Sequence, residues 1–227
     1  NLEELQNEQL FEIVKKTKIH PKTSAVAPGV FIEEFQAALN EGYDVVYMGI
    51  GGGFSGTLQS AHTAKLELDS DRIFLIDSQN LSSGSGLLLM RAAKMVEEGK
   101  SAAEIVSAIE DLKPRVRTQF VIDTLEYLHR GGRCSATARI FGTALKVHPI
   151  IRVVDGAMTV AKKPRGTLLK AVDVMMEYLE KDRDNLESDL IFITHAQAQD
   201  IVPYVREKIK MVAKFDNIVE TKAGSVI

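Results

Sequence analysis

The residues best suited to chemistry lie in one short stretch. Gly51-Gly52-Gly53-Phe54-Ser55-Gly56-Thr57 follows the β-branched run Tyr43–Ile50 and opens a helix-like stretch reaching Leu68. Small residues at a strand-to-helix turn leave backbone amides at the positive end of a helix dipole, where an anion is stabilised. Ser55 can cap the helix and present a hydroxyl, and the Gly56 and Thr57 amides are expected as unpaired donors. Thr23 and Ser24, in the loop between Pro21 and Pro28, can add two hydroxyls if the fold brings them close. The same glycines satisfy G-x-G-x-x-G, with Asp77 downstream at the end of the next apolar run, which is the layout of a dinucleotide-binding fingerprint. A run of three glycines meets that pattern easily, and the fingerprint normally follows the first strand of its domain. Here helical and loop material comes first. Three readings stay open: a tight turn without a ligand, a dinucleotide site, and a site for a single carboxylate or phosphate.

Other reactive side chains are scattered. His20, His62, His129, His148 and His195 lack the spacing of metal ligands. His195, at the end of an apolar strand, reads first as a hydrogen-bonded structural histidine. Cys134 follows Arg133, and a neighbouring cation favours a thiolate, yet without a matching His or Asp it reads as an ordinary small residue. Arg130, Arg133, Arg139, Arg152 and Arg165 make the second half locally basic, either as a solvated face or as a surface for an acidic partner. Met90, Met95, Met158, Met175 and Met176 read as core. No P-loop pattern and no nucleophile–base pair is present, so the chain is not expected to be an enzyme by itself.

The elements that must position these groups alternate. Helices are predicted over 3–17 and 29–40, a buried strand over 43–50, a helix from 55 to about 68, and a second buried strand over 72–77. A Ser/Gly loop over 78–86 then leads into a helix over 87–98 and another over 102–112. Lys113-Pro114-Arg115 marks the expected boundary between an N-terminal domain, 1–113, and a C-terminal domain, 114–227. Beyond it come a strand over 118–122, a short helix ending at Gly131-Gly132 and a helix over 135–147. Strands 149–154 and 157–161 flank Asp155-Gly156, a two-residue hairpin signal. Helix 167–180, strand 189–194, helix 198–213 and strand 217–221 finish the chain. This order predicts an α/β fold in two domains: a parallel-sheet, three-layer N-terminal domain and a mixed-sheet C-terminal one.

Several strings taken together resemble the DegV family. They are Pro21-Lys22-Thr23-Ser24, Phe54-Ser55-Gly56-Thr57 with Gln59-Ser60-Ala61, Ile76-Asp77-Ser78 with Ser82, Gly84 and Gly86, Asp123-Thr124-Leu125-Glu126-Tyr127-Leu128, Arg130-Gly131-Gly132-Arg133, His148-Pro149-Ile150 before Asp155-Gly156, and Arg165-Gly166. The resemblance implies a long-chain fatty acid in a tunnel between two α/β domains. It also implies that the chain is a non-catalytic subunit of a bacterial fatty acid kinase, holding the acid while a separate kinase subunit phosphorylates the carboxylate to an acyl phosphate. By the resemblance, Thr23 and Ser55 bind the carboxylate, with Ser24, Gly56 and Thr57 beside them. Arg133 and Arg165 then belong to the head-group end or the kinase docking surface. No cofactor or metal is implied. A tail of roughly 16 to 18 carbons gains about 0.8 kcal/mol per buried CH₂, so the tail dominates affinity and the head group fixes orientation. The chain departs from the family in two respects. Gly51 and Gly52 stand where the family often carries a Ser pair, which is expected to alter the head-group contacts. The family's usual first strand and its His-x-Gly-Pro-Gly segment would fall before Asn1 and after Ile227, so the first sheet is expected to lack a strand.

Composition agrees with this frame. With 28 basic and 31 acidic residues the net charge is −3, which argues against a nucleic-acid binder, since phosphate binding needs a cationic surplus. An apolar share of 45% with 26% charged residues is enough to build a core. The single cysteine excludes a disulfide framework. No apolar run reaches the length of a membrane span and the opening residues lack a secretory signal pattern, so a cytoplasmic protein is expected, without membrane insertion.

Overall fold

A computed structural model describes residues 7–124, 126–133 and 147–224. The chain divides into two compact units. The glycine-turn unit takes Ser24–Thr118 and Val153–Met158; the flanking unit takes Asn1–Thr23, Gln119–Arg152 and Thr159–Ile227. This division is discontinuous, whereas the sequence reading placed one boundary after residue 113. Helix α1 (Asn7–Thr17) accounts for much of the difference. Its Leu10 and Val14 are buried, and Phe11 meets the Tyr127 ring edge-on at 5.5 Å, so the N-terminal segment packs with residues far along the chain.

In the glycine-turn unit, β1 (Val45–Gly49) and β2 (Ile73–Asp77) run parallel, with Gly49 opposite Asp77. Their side chains alternate between two apolar clusters, as a strand covered on both faces requires. Val45, Tyr47 and Ile73 pack with Phe31 and Phe35 of α2 (Pro28–Asn40) and with Ala61 and Ala64 of α3 (Thr57–Leu68). Val46, Met48 and Ile76 pack with Leu88, Ala92 and Met95 of α4 (Ser82–Glu97) and with Ile105 and Ile109 of α5 (Ala102–Leu112). This is the three-layer arrangement expected from the alternating elements. α4 begins at Ser82, five residues before the sequence reading placed it. Ser82-Ser83-Gly84-Ser85-Gly86 has loop-like composition, but burial decides: Gly84 is buried, and Ser85 Oγ lies 2.9 Å from the fully buried Ser78 Oγ. Met95 is buried as expected, whereas Met90 is 52% exposed.

Beginning in the flanking unit, β3 (Gln119–Val121) pairs antiparallel with β4 (Ile150–Val154), and β5 (Ala157–Lys162) completes a three-stranded sheet, the stretch Val153–Met158 of this hairpin belonging to the glycine-turn unit. β6 (Leu190–His195) and β7 (Asn217–Lys222) form a separate parallel pair. Both strand directions occur, as a mixed domain requires, distributed over two sheets among the described residues. The core joins Val172, Met176 and Leu179 of α7 (Leu168–Asp182) to Val202, Val205 and Ile209 of α8 (Val202–Val212) and to Ile193 of β6. A short α6 (Glu126–Arg130) carries Tyr127. Cys134, Arg139 and the helix predicted over 135–147 lie outside the described residues.

Candidate functional site

The glycine turn is held from several directions. Phe54 N–H donates to the Gly51 carbonyl at 2.8 Å, closing a tight turn directly after β1. Gly51 N–H donates to the Asn80 carbonyl at 2.8 Å, and Gly52 N–H to Asp77 Oδ1 at 3.2 Å. The same Asp77 oxygen accepts the Gln79 N–H at 2.8 Å. Beneath the turn lies a polar knot. Ser78 and Asn80 are buried, Ser78 Oγ donates to the Asn80 carbonyl at 3.2 Å, and Thr118 Oγ1 donates to Asn80 Oδ1 at 2.6 Å. Sequence reasoning missed Asn80 and Thr118. Their one visible signal is a polar type, after an apolar run for Asn80 and before one for Thr118, which many surface loops share.

Ser55 and Thr57 form a compact hydroxyl pair at the start of α3. Ser55 Oγ accepts the Thr57 N–H at 3.2 Å and donates to Thr57 Oγ1 at 3.0 Å. The Thr57 amide is therefore paired internally, not the unpaired donor expected from the sequence. Thr57 Oγ1 also accepts the Val26 N–H at 3.4 Å. With two donors already directed at that oxygen, the hydroxyl's own proton remains for an anion. The Val26 bond brings the Ser24–Val26 segment to the turn, and Ala25 Cβ lies 3.8 Å from where a Gly56 side chain would begin. Ser24, Ser55, Gly56 and Thr57 thus belong to one neighbourhood, with Ser24 and Gly56 exposed and the other two half-buried. Thr23, Arg133 and Arg165 belong to the flanking unit and are exposed. Arg165 pairs with Val147 in an isolated antiparallel bridge, and the Arg133 side chain reaches the Gly131 carbonyl.

The glycines are explained by the chain's own packing. A methyl on Gly53 would place its carbon 2.5 Å from the Gly156 carbonyl oxygen, and one on Gly51 would lie 3.0 Å from the Asn80 nitrogen. In a dinucleotide fingerprint the second glycine lets the backbone approach the pyrophosphate. Here that approach is filled by the protein's own carbonyl, and the Asp77 carboxylate sits on the turn. Two negative dipoles or charges at this position oppose a pyrophosphate. The Ser pair usual in the family would be crowded here: a side chain at Gly52 begins 3.2 Å from Asp77 Oδ2.

Three of the remaining candidates have partners within the molecule. His195 is buried, with Nε2 3.3 Å from Glu220 Oε1 and Nδ1 accepting the Ala198 N–H at 3.4 Å, as its strand-end position suggested. Arg130 pairs with Glu126, and Arg152 with Asp182 while stacking over the Tyr178 ring, so two of the five arginines are committed within the molecule. Among the described residues no group of three or more His, Cys, Asp or Glu is placed to hold a metal ion, and no helix is long and apolar enough to cross a membrane.

The family model described as "Uncharacterised protein, DegV family" matches residues 1–227. The chain belongs to the DegV family. A DegV domain-containing protein of Clostridium acetobutylicum is 35% identical over 219 residues, covering 96% of this chain and 77% of the relative. Among solved structures, one described as fatty acid binding of a DegV family protein from Thermus thermophilus matches with a TM-score of 0.90 at 27% identity, covering 99% of this chain and 80% of that one. The structure of DegV from Bacillus subtilis, described as a fatty acid binding protein, matches with a TM-score of 0.80 at 27% identity, covering 97% of this DegV chain and 78% of that one.

Proposed function

We propose that this DegV chain binds a long-chain fatty acid, with the carboxylate at the hydroxyls of Ser24, Ser55 and Thr57 and the Gly56 amide, and Thr23 adding a hydroxyl from the adjoining loop. One observation carries the reading: a hydroxyl pair with an undirected Thr57 proton opens α3, in a chain closely similar in fold to a protein described for fatty acid binding. Hydroxyl and amide donors at a helix N-terminus suit a single carboxylate and require no catalytic base. The chain carries out no chemistry by itself. It presents the carboxylate oxygen to a separate kinase subunit, which transfers the terminal phosphoryl group of its nucleotide to form an acyl phosphate. Arg133 and Arg165 serve the head-group end or the docking of that subunit. The family resemblance supports this last step, and the exposure of both arginines agrees with it.

The test is mass spectrometry of the purified chain, native and after solvent extraction. A co-purifying mass of a C14–C18 fatty acid, or uptake of added palmitate, is the expected result. A mass unchanged by palmitate or oleate overturns the reading. Ser55→Ala removes the hydroxyl that donates to Thr57 Oγ1 and so leaves the Thr57 proton for the carboxylate; it is expected to weaken palmitate binding by about tenfold, with no change in fold by circular dichroism. Unchanged affinity removes Ser55 from the head-group site.

A further inference from the structure

The β4–β5 hairpin is the least explained part of the glycine-turn unit. Its strands extend into the flanking unit, yet its tip, Val153–Met158, packs with the glycine turn. Asp155 and Gly156 both have positive φ, +50° and +71°, the conformation of a two-residue hairpin turn with matched twist. That geometry fixes where the Gly156 carbonyl points, and it points at Gly53. The tip is seated on its other side by Gln79, whose Cβ and Cγ lie 3.5 and 3.6 Å from where a Gly156 side chain would begin. Gln79 itself holds a left-handed φ of +49°, a strained backbone for a residue with a side chain. It is kept there by the bond from its amide to Asp77 Oδ1.

The turn is therefore gripped between two backbones. On one side Gly51 N–H holds the Asn80 carbonyl; on the other Gly53 admits the Gly156 carbonyl with no room for a Cβ. Phe54 is buried next in the chain, and Ser55 follows it. A turn clamped at both ends transmits small backbone shifts directly to the residue after it, because close-packed backbone has no flexible side chain to absorb them. We propose that the hairpin tip Asp155-Gly156 is a positioning element for the head-group donors, and that Gly53 is glycine to admit this tip. This rests on the proposed fatty acid binding. It adds that the carboxylate preference, as distinct from tail affinity, is set by a loop that does not itself donate to the ligand.

The experiment compares the full chain and Gly53→Ala for binding of palmitate and of methyl palmitate, which keeps the tail but lacks the carboxylate. The ratio of the two affinities is the readout, since a merely structural lesion lowers both. Gly53→Ala is expected to lower palmitate affinity about tenfold with the ester unchanged. In the Ser55→Ala background it is expected to add little, because the two changes act through one contact. Equal loss of both ligands, unchanged palmitate affinity, or full additivity with Ser55→Ala overturns the positioning role. If Gly53→Ala does not fold, Gly156→Ala is measured by the same ratio and judged by the same outcomes: its methyl meets Gln79 at ordinary contact distance, and the strain at φ +71° disturbs the hairpin tip without a collision at Gly53. A wild-type chain that binds neither ligand overturns the fatty acid reading, and the positioning proposal with it. A wild-type chain that binds both equally removes the head-group site and the positioning proposal with it, while tail binding stands.

Discussion

Asn80 concentrates more of the turn's geometry than either hydroxyl of the Ser55–Thr57 pair. Its carbonyl holds Gly51, its side-chain oxygen accepts from Thr118 Oγ1 and from the Leu81 amide, and it is only 3% exposed. Gly84 of α4 lies so close that an added methyl would collide with the Asn80 and Thr118 side-chain oxygens. In an exposed helix a Gly→Ala change stabilises by about 1 kcal/mol. Here Gly84→Ala is expected to destabilise by about 1–3 kcal/mol in urea unfolding, because the collision disturbs a buried polar knot. In the Asn80→Ala background, itself destabilised, Gly84→Ala should cost less than in wild type, because one of the colliding oxygens is gone. A stabilised Gly84→Ala would show that α4 does not begin against this knot. Ser55 and Thr57 were legible in the sequence because a hydroxyl beside glycine at a helix start is a local pattern. Asn80, Thr118 and the carbonyl of Gly156 were not, because each acts only through a partner brought in by the fold.

Elements in the flanking unit are tied by a polar contact that also responds to pH. Asp173 on α7 accepts from the Tyr204 hydroxyl at 2.7 Å and pairs with Lys208 at 2.8 Å, both on α8. The Lys208 hydrogen bond first, and the Tyr204 bond second, hold the Asp173 carboxyl below its ordinary range. A depressed carboxyl stabilises the fold above its unfolded value, about 3.9, and the contribution fades as pH falls through the lower folded value. Asp173→Asn should therefore lower the urea midpoint at pH 7, and the gap from wild type should narrow as pH drops below about 4. A gap that stays constant with pH would mean that the contact does not depend on the charge of Asp173. The effect is small, because Asp173 is 44% exposed and solvent screens the pair. At this scale the sequence was informative where periodicity was strong. β1, β2, α5, α7 and the Asp155-Gly156 hairpin lie where the apolar pattern and turn residues put them. It was uninformative at 82–86, where polar small residues are helical because tertiary burial overrides composition.

Across the whole molecule, the chain passes between its two units after residues 23, 118, 152 and 158. A sequence read in order gives no hint of this, since α1 joins the flanking unit through Phe11 and Tyr127 rather than through its neighbours in the chain. Each unit nevertheless has its own apolar clusters, with Ile109 fully buried in the glycine-turn unit and Ile193 in the core of the flanking unit. Separate cores predict separable stability, because truncating a buried Ile costs about 2–5 kcal/mol where the cavity forms. Native-state hydrogen exchange reads this residue by residue. Ile109→Ala should speed exchange in β1, β2, α4 and α5 by the full loss, and in β6, β7 and α8 by less. Ile193→Ala should reverse the ranking. The hairpin is the discriminating element, since its strands are shared. Amides of Val153 and Met158 should follow the glycine-turn unit under Ile109→Ala, because Val153 N–H donates to the Thr118 carbonyl at 3.0 Å there. If both substitutions raise exchange equally throughout, the two cores unfold as one cooperative body, and the clamp on Ser55 is then as stable as the whole molecule rather than only its own unit.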